Sequence, residues 1–145
     1  MPVAILFYDG LCGFCNHTVQ WVLKRDRFDQ FRFAPQQSRF AEELLLRHGI
    51  NRDAMLGQNS VYLALNANSP QERVLLRSDV TVCSLLLLGG VWKLLGRCLQ
   101  LVPRSVRDAG YTLMARNRFR VAGKYEVCPL PTAEDRQKFV GITDW

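Results

Sequence analysis

Val3-Ala4-Ile5-Leu6-Phe7-Tyr8-Asp9-Gly10-Leu11-Cys12-Gly13-Phe14-Cys15 is the stretch that decides how the rest of the chain is read. Its apolar run from Val3 to Tyr8 is uninterrupted and bounded by Asp9 and Gly10, the pattern of a strand covered on both faces. A helix should follow at once. Cys15, Val19, Val22 and Leu23 recur at helical spacing, and Lys24 and Arg25 stand where cations complement the C-terminal end of a helix dipole. Two cysteines three positions apart therefore fall at the junction between a buried strand and the helix it feeds.

Working outward, Phe31 to Ala34 alternates apolar with basic and reads as a second strand. Ser38 is placed to cap a helix carrying Phe40, Leu44 and Leu45, with Gly49 as its terminator. Val61 to Leu65, the turn residues Asn66 to Pro70, and Arg73 to Arg77 form a hairpin, antiparallel because so short a loop cannot make a crossover. Ser78 or Asp79 caps the next helix, and the apolar run from Val80 to Trp92 reads as one buried helix. The order is β-α-β-α-β-β-α with extra helices to about Gly123 and a proline-containing tail. A right-handed crossover makes the first two strands parallel neighbours, and the hairpin extends the same sheet. This is an α/β layout of the thioredoxin and glutaredoxin kind.

The chain has 145 residues, 48% of them hydrophobic and 22% charged, which fits one packed domain and argues against disorder. The expected division is a core over about 1–90, a basic helical extension over about 91–125 and a tail over 126–145. Between Val91 and Tyr125 there are eight basic residues against a single acid, Asp108, so the net charge of +6 is concentrated there. No apolar stretch reaches the roughly 20 residues of a membrane span, and no secretory leader pattern opens the chain. A reducing, cytoplasmic setting is the expectation. Five cysteines are too few and too odd in number for a disulfide-stapled scaffold.

At a helix N-terminus, unpaired backbone N–H groups and the positive dipole end favour an anion, so Cys12 should ionise more readily than a free cysteine. The thiolate is the species that attacks a disulfide. Cys15, nearly one turn further on, is placed to resolve the mixed disulfide that forms on Cys12. Zinc normally needs a second close pair of ligands, whereas Cys83 and Cys98 are far apart and His17 and His48 are isolated. Haem attachment needs a histidine directly after the second cysteine, and Asn16 stands there instead. Asp9, at the strand exit, either takes or relays the Cys15 proton or accepts hydrogen bonds from the turn amides. No bound cofactor and no metal are implied.

The segment from Tyr8 to Cys15 resembles the signature of the DCC family of thiol-disulfide oxidoreductases, named for its Asp-x-x-Cys-x-x-Cys motif. The resemblance extends through Phe33-Ala34, Gln37-Ser38, Ser78-Asp79, Pro103, Arg107-Asp108 with Tyr111, Ala115 to Phe119, Gly123, and Cys128 with Pro131. It implies a thioredoxin-like fold and dithiol redox activity, with the motif falling on Asp9, Cys12 and Cys15. Two departures are visible. The cis-proline that thioredoxin-like proteins carry before the third strand is replaced by Asn59 or Ser60, and Gln36 stands where the family tends to leucine.

The substrate expected is a disulfide-containing protein or a low-molecular-weight thiol. The alternative is a non-catalytic module whose cysteine pair is structural or metal-bound and whose basic helix docks a partner. Cys83 and Cys98 lie in apolar helical sequence and read as packing residues. Cys128, followed by Pro129 and Pro131 in an irregular tail, is a tail anchor or an accessory thiol. Phe14, Thr18 and Trp21 share a second face of the first helix, Phe14 shaping a substrate surface and Trp21 entering the core. From Arg104 to Ala122, Val106, Gly110, Leu113, Asn117 and Val121 make one stripe, with the arginines forming a solvated face or a surface for an acidic partner or membrane. Nucleic-acid binding is not expected, since no exposed aromatics are interleaved with the basic residues.

Overall fold

The computed structural model describes residues 4–9, 13–36, 38–51, 61–67, 69–76, 78–122 and 136–140. The first apolar run is strand β1, Ala4–Tyr8, and it lies in the middle of a four-stranded sheet of order β2-β1-β3-β4. Strand β2, Phe31–Pro35, runs parallel to it, with Ala4 opposite Phe31 and Tyr8 opposite Pro35. The hairpin strands β3, Tyr62–Leu65, and β4, Arg73–Leu76, add antiparallel on the other side, Phe7 pairing with Tyr62 and Tyr62 with Leu76. This mixed sheet is the arrangement expected of a thioredoxin-like α/β fold.

Because strand residues alternate between faces, β1 supplies both halves of the core. Ala4, Leu6 and Tyr8 join Cys15, Val19 and Val22 of helix α1, Gly13–Arg25, and Val80 and Leu88 of helix α3, Ser78–Leu88. Phe7 points the other way, toward Ala41, Leu44 and Leu45 of helix α2, Arg39–Arg47. Local chemistry sets the ends of these elements. Ser38 caps α2 by accepting from the Ala41 N–H at 3.1 Å while donating to the Pro35 carbonyl at 2.8 Å. Gly49, with φ +78°, ends the same helix in the left-handed conformation that glycine adopts without strain. Asn66 takes φ +55° in the β3–β4 turn, where its carbonyl accepts from the Ser69 hydroxyl at 2.6 Å.

The apolar run from Val80 to Trp92 is not one helix. Gly89 and Gly90 both have positive φ, +73° and +58°, and they break it into α3 and helix α4, Gly90–Gln100. A Cβ at Gly89 would stand 2.8 Å from a ring carbon of Phe28, so the break also lets that ring close in. At Gly96 the missing side chain brings α4 against α3, since a Cβ there would meet Leu85 Cβ at 3.1 Å. Trp92 packs edge-on against Trp21 of α1 with ring centroids 4.8 Å apart, and the Arg25 guanidinium lies 4.3 Å over the Trp21 ring. Trp21 is thus half-buried beside the core, as its sequence position suggested.

Helix α5, Arg104–Ala122, corrects a second expectation. Its apolar stripe is not its inner face: Val106 and Leu113 are 59% and 65% exposed, and Met114 beside the stripe is 55% exposed. Cys98 is likewise exposed on α4 instead of packed, whereas Cys83 is half-buried against the core. At the far edge of the sheet, residues 136–140 lie beside β2, where the Val140 N–H donates to the Phe33 carbonyl at 2.7 Å and the Phe139 ring packs tilted against Phe33 with centroids 5.4 Å apart. That contact covers an edge strand that would otherwise present unpaired backbone. Asp26, at the end of α1, holds the opposite end of β2 by accepting from the Gln30 and Phe31 N–H groups at 2.9 and 3.0 Å.

Candidate active site

β1 ends at Tyr8, Asp9 follows it half-buried, and α1 begins at Gly13, between the two cysteines of the motif. Cys12 immediately precedes the helix and lies outside the described residues, as do Asn59, Ser60 and Cys128. Cys15 occupies the first turn of α1 and is 4% exposed, on the face shared with Val19 and Val22. Its position follows from periodicity: a residue four before Val19 and seven before Val22 must face the same way. Thr18 is exposed on the neighbouring face.

The same end of the sheet is braced from α5. One register step beyond the Phe7–Tyr62 pair, Val61 stands beside Tyr8, and its N–H donates to the Tyr111 hydroxyl at 3.0 Å. Ser78, the first residue of α3, donates to Asp108 at 2.5 Å. Asp79 takes a hydrogen-bonded ion pair from Arg104 and a longer one, 3.8 Å, from Arg107. Among the described residues, Arg104 and Arg107 of the basic segment thus pair within the fold, Arg104 while remaining 68% exposed. This brace escaped reading from the residues alone. The signal available was Arg107-Asp108-x-x-Tyr111, polar groups one turn apart on a single side of a helix.

Among the described thiols, burial pushes the Cys83 pKa above the ordinary range, with Asp79 adding to the shift and Arg73 opposing it. Among the described residues, no three His, Cys, Asp or Glu side chains gather as metal ligands would, and no helix is long and apolar enough to cross a membrane.

A family model described as DCC1-like thiol-disulfide oxidoreductase matches residues 6–124. The chain belongs to that family. Among its relatives, the uncharacterized protein YuxK of Bacillus subtilis is 29% identical over 140 residues, covering 97% of this chain and 96% of its own. A chloroplastic DCC family protein of Arabidopsis thaliana is 32% identical over 126 residues, covering 87% of this chain and 69% of its own. No solved structure matches the chain significantly. The matched span runs from Leu6, within β1, through the cysteine pair, the other three strands and the α5 brace.

Proposed function

We propose that this protein is a dithiol oxidoreductase working through Cys12 and Cys15. The observation that carries the reading is that α1 starts at Gly13 with Cys15 buried in its first turn, and Cys12 is the residue that immediately precedes this helix in sequence. An exposed, dipole-favoured thiolate beside a sheltered thiol is the pairing disulfide exchange requires.

In the reducing direction the Cys12 thiolate attacks one sulfur of a substrate disulfide, forming a mixed disulfide and releasing the first substrate thiolate. Cys15 then loses its proton and attacks the Cys12 sulfur. That step closes the Cys12–Cys15 disulfide and releases the second substrate thiolate, so the substrate gains two electrons and the protein loses two. An external thiol reductant restores the dithiol; in the oxidising direction the same steps run backward. Asp9, at the strand exit beside the motif, takes or relays the Cys15 proton. The substrate class is a disulfide-bearing protein or a low-molecular-weight disulfide.

Insulin reduction by dithiothreitol, with and without the protein, tests this directly. Turnover should vanish in Cys12→Ser, and Cys15→Ser should accumulate a mixed disulfide on Cys12 visible by intact mass. Undiminished turnover in Cys12→Ser would remove the assignment.

A further inference from the structure

Between α1, the sheet face bearing Leu6 and Tyr8, α3 and α5 lies a cavity of about 500 Å³. Its walls are almost wholly apolar, with Val19, Val22 and Leu85 deep inside and Cys15 in the same wall. Close-packed interiors leave few voids larger than a water molecule, and this volume falls in the roughly 300–1,000 Å³ range of small-molecule sites. The cavity reaches the surface beside Val106, Gly110 and Met114, all exposed residues of α5.

Among the described residues, one charged side chain borders it. Arg107 is 14% exposed, and its Nε is buried with no hydrogen-bond partner. The carboxylate paired with it, Asp79, stands 3.8 Å from Nη1, beyond hydrogen-bond length, and is held more closely by Arg104. A buried guanidinium with an unanswered N–H is costly unless an acceptor meets it, and the group that answers a guanidinium best is an anionic oxygen.

We propose that this cavity binds a long-chain carboxylate, with the alkyl tail along the apolar walls of α1 and α3 and the head group on Arg107. The site is separate in its logic from the thiol exchange above, although the tail would touch the helix that carries Cys15. Apolar walls alone would accept any lipophile; the single buried cation selects the one with an acid at its end.

The test uses the whole chain and cis-parinaric acid, a fluorescent 18-carbon carboxylate. Saturable one-to-one uptake is expected, together with at least about tenfold weaker binding of the 18-carbon alcohol, equivalent to about 1.4 kcal/mol. Gly110→Leu places a side chain at the mouth where a Cβ meets nothing within 4 Å, so it should weaken uptake by at least about tenfold with a melting temperature no lower than that of the unaltered chain. Arg107→Met should weaken binding of the acid and leave the alcohol unaffected. Absence of saturable uptake by the unaltered chain, equal affinity for acid and alcohol, or full binding by Gly110→Leu would each overturn the proposal. Insulin reduction without fatty acid decides the thiol reading separately, so either can fail alone.

Discussion

The sheet with its first two helices and the last long helix, α5, are held in place by different physics. In the first, Phe7, Phe31, Phe33, Leu44 and Leu45 have no more than 1% of their surface exposed, and polar side chains serve chiefly as caps, Ser38 for α2 and Asp26 for the start of β2. In the second, α5 is fastened by Tyr111 to Val61, Asp108 to Ser78 and two arginines to Asp79, while Val106, Leu113 and Met114 face outward. Burial of apolar area is non-directional and tolerant, whereas polar docking fixes a specific placement. The difference teaches that the strand ends and helix N-termini around the cysteine motif are set by a rigid core on one side and a directional clamp on the other.

The largest expected effect falls on the first region. Phe33→Ala removes a fully buried ring that packs against Phe31 and Phe139, and should cost about 3–5 kcal/mol in urea unfolding. Leu113→Ala in α5 should stay within about 0.5 kcal/mol, because that side chain is already 65% exposed. Comparable losses at the two positions would erase the contrast.

The thiols give the same contrast a chemical readout. Alkylation requires the thiolate, and burial holds the Cys83 pKa above the ordinary thiol value, so at a given pH less of it is ionised. Iodoacetamide labelling followed by peptide mass analysis should therefore modify Cys98, exposed on α4, well before Cys83 at pH 8. The Cys83 rate should climb only at more alkaline pH. Any stability that Cys83 contributes by remaining neutral is present below its unfolded-state pKa and lost as pH rises through the folded one. Equal labelling rates at pH 8 would place Cys83 in open solvent.

How much of this was legible in the sequence depends on the distance over which each feature acts. β1, α1, the Ser38 cap and the β3–β4 turn rest on periodicity and on side chains bonding within five residues, which is what pattern reading detects. The Gly89-Gly90 break was also local, yet it was outweighed by the apolar run around it. The clamp was hidden for another reason. Tyr111 reaches back 50 positions to Val61 and Asp108 reaches back 30 to Ser78, so no local pattern marks the pairing. A cavity leaves still less trace, because its lining residues look like any other core positions. Of the candidate site itself, the helix start and the burial of Cys15 follow from spacing alone, while Asp9 was placed by its position at the strand exit.

The clamp is tested by Tyr111→Phe, which keeps the ring and removes only the hydroxyl that accepts from Val61. The expected loss is about 1 kcal/mol, the usual worth of one such bond together with the partner it strands. Hydrogen exchange should locate the loss, with the Val61 amide deprotected and the Phe31 and Phe33 amides of β2 unchanged. Deprotection spread evenly over the sheet would mean that α5 and the core unfold as one unit.

The smallest effect has the opposite sign. Gly110 lies within α5 at an ordinary helical position, and a Cβ added there would meet nothing within 4 Å. Glycine in a helix interior is less favourable than alanine by up to about 1 kcal/mol, because it loses more backbone freedom on folding and covers less of the helix. Gly110→Ala should therefore raise stability by about 0.5–1 kcal/mol, read as a higher urea midpoint with an unchanged slope. A single methyl at the cavity mouth is too small to close it, so uptake of cis-parinaric acid should persist in this variant while Gly110→Leu loses it. A destabilised Gly110→Ala would mean that a neighbouring element needs the space above Gly110, and the open face assigned to α5 would then be wrong.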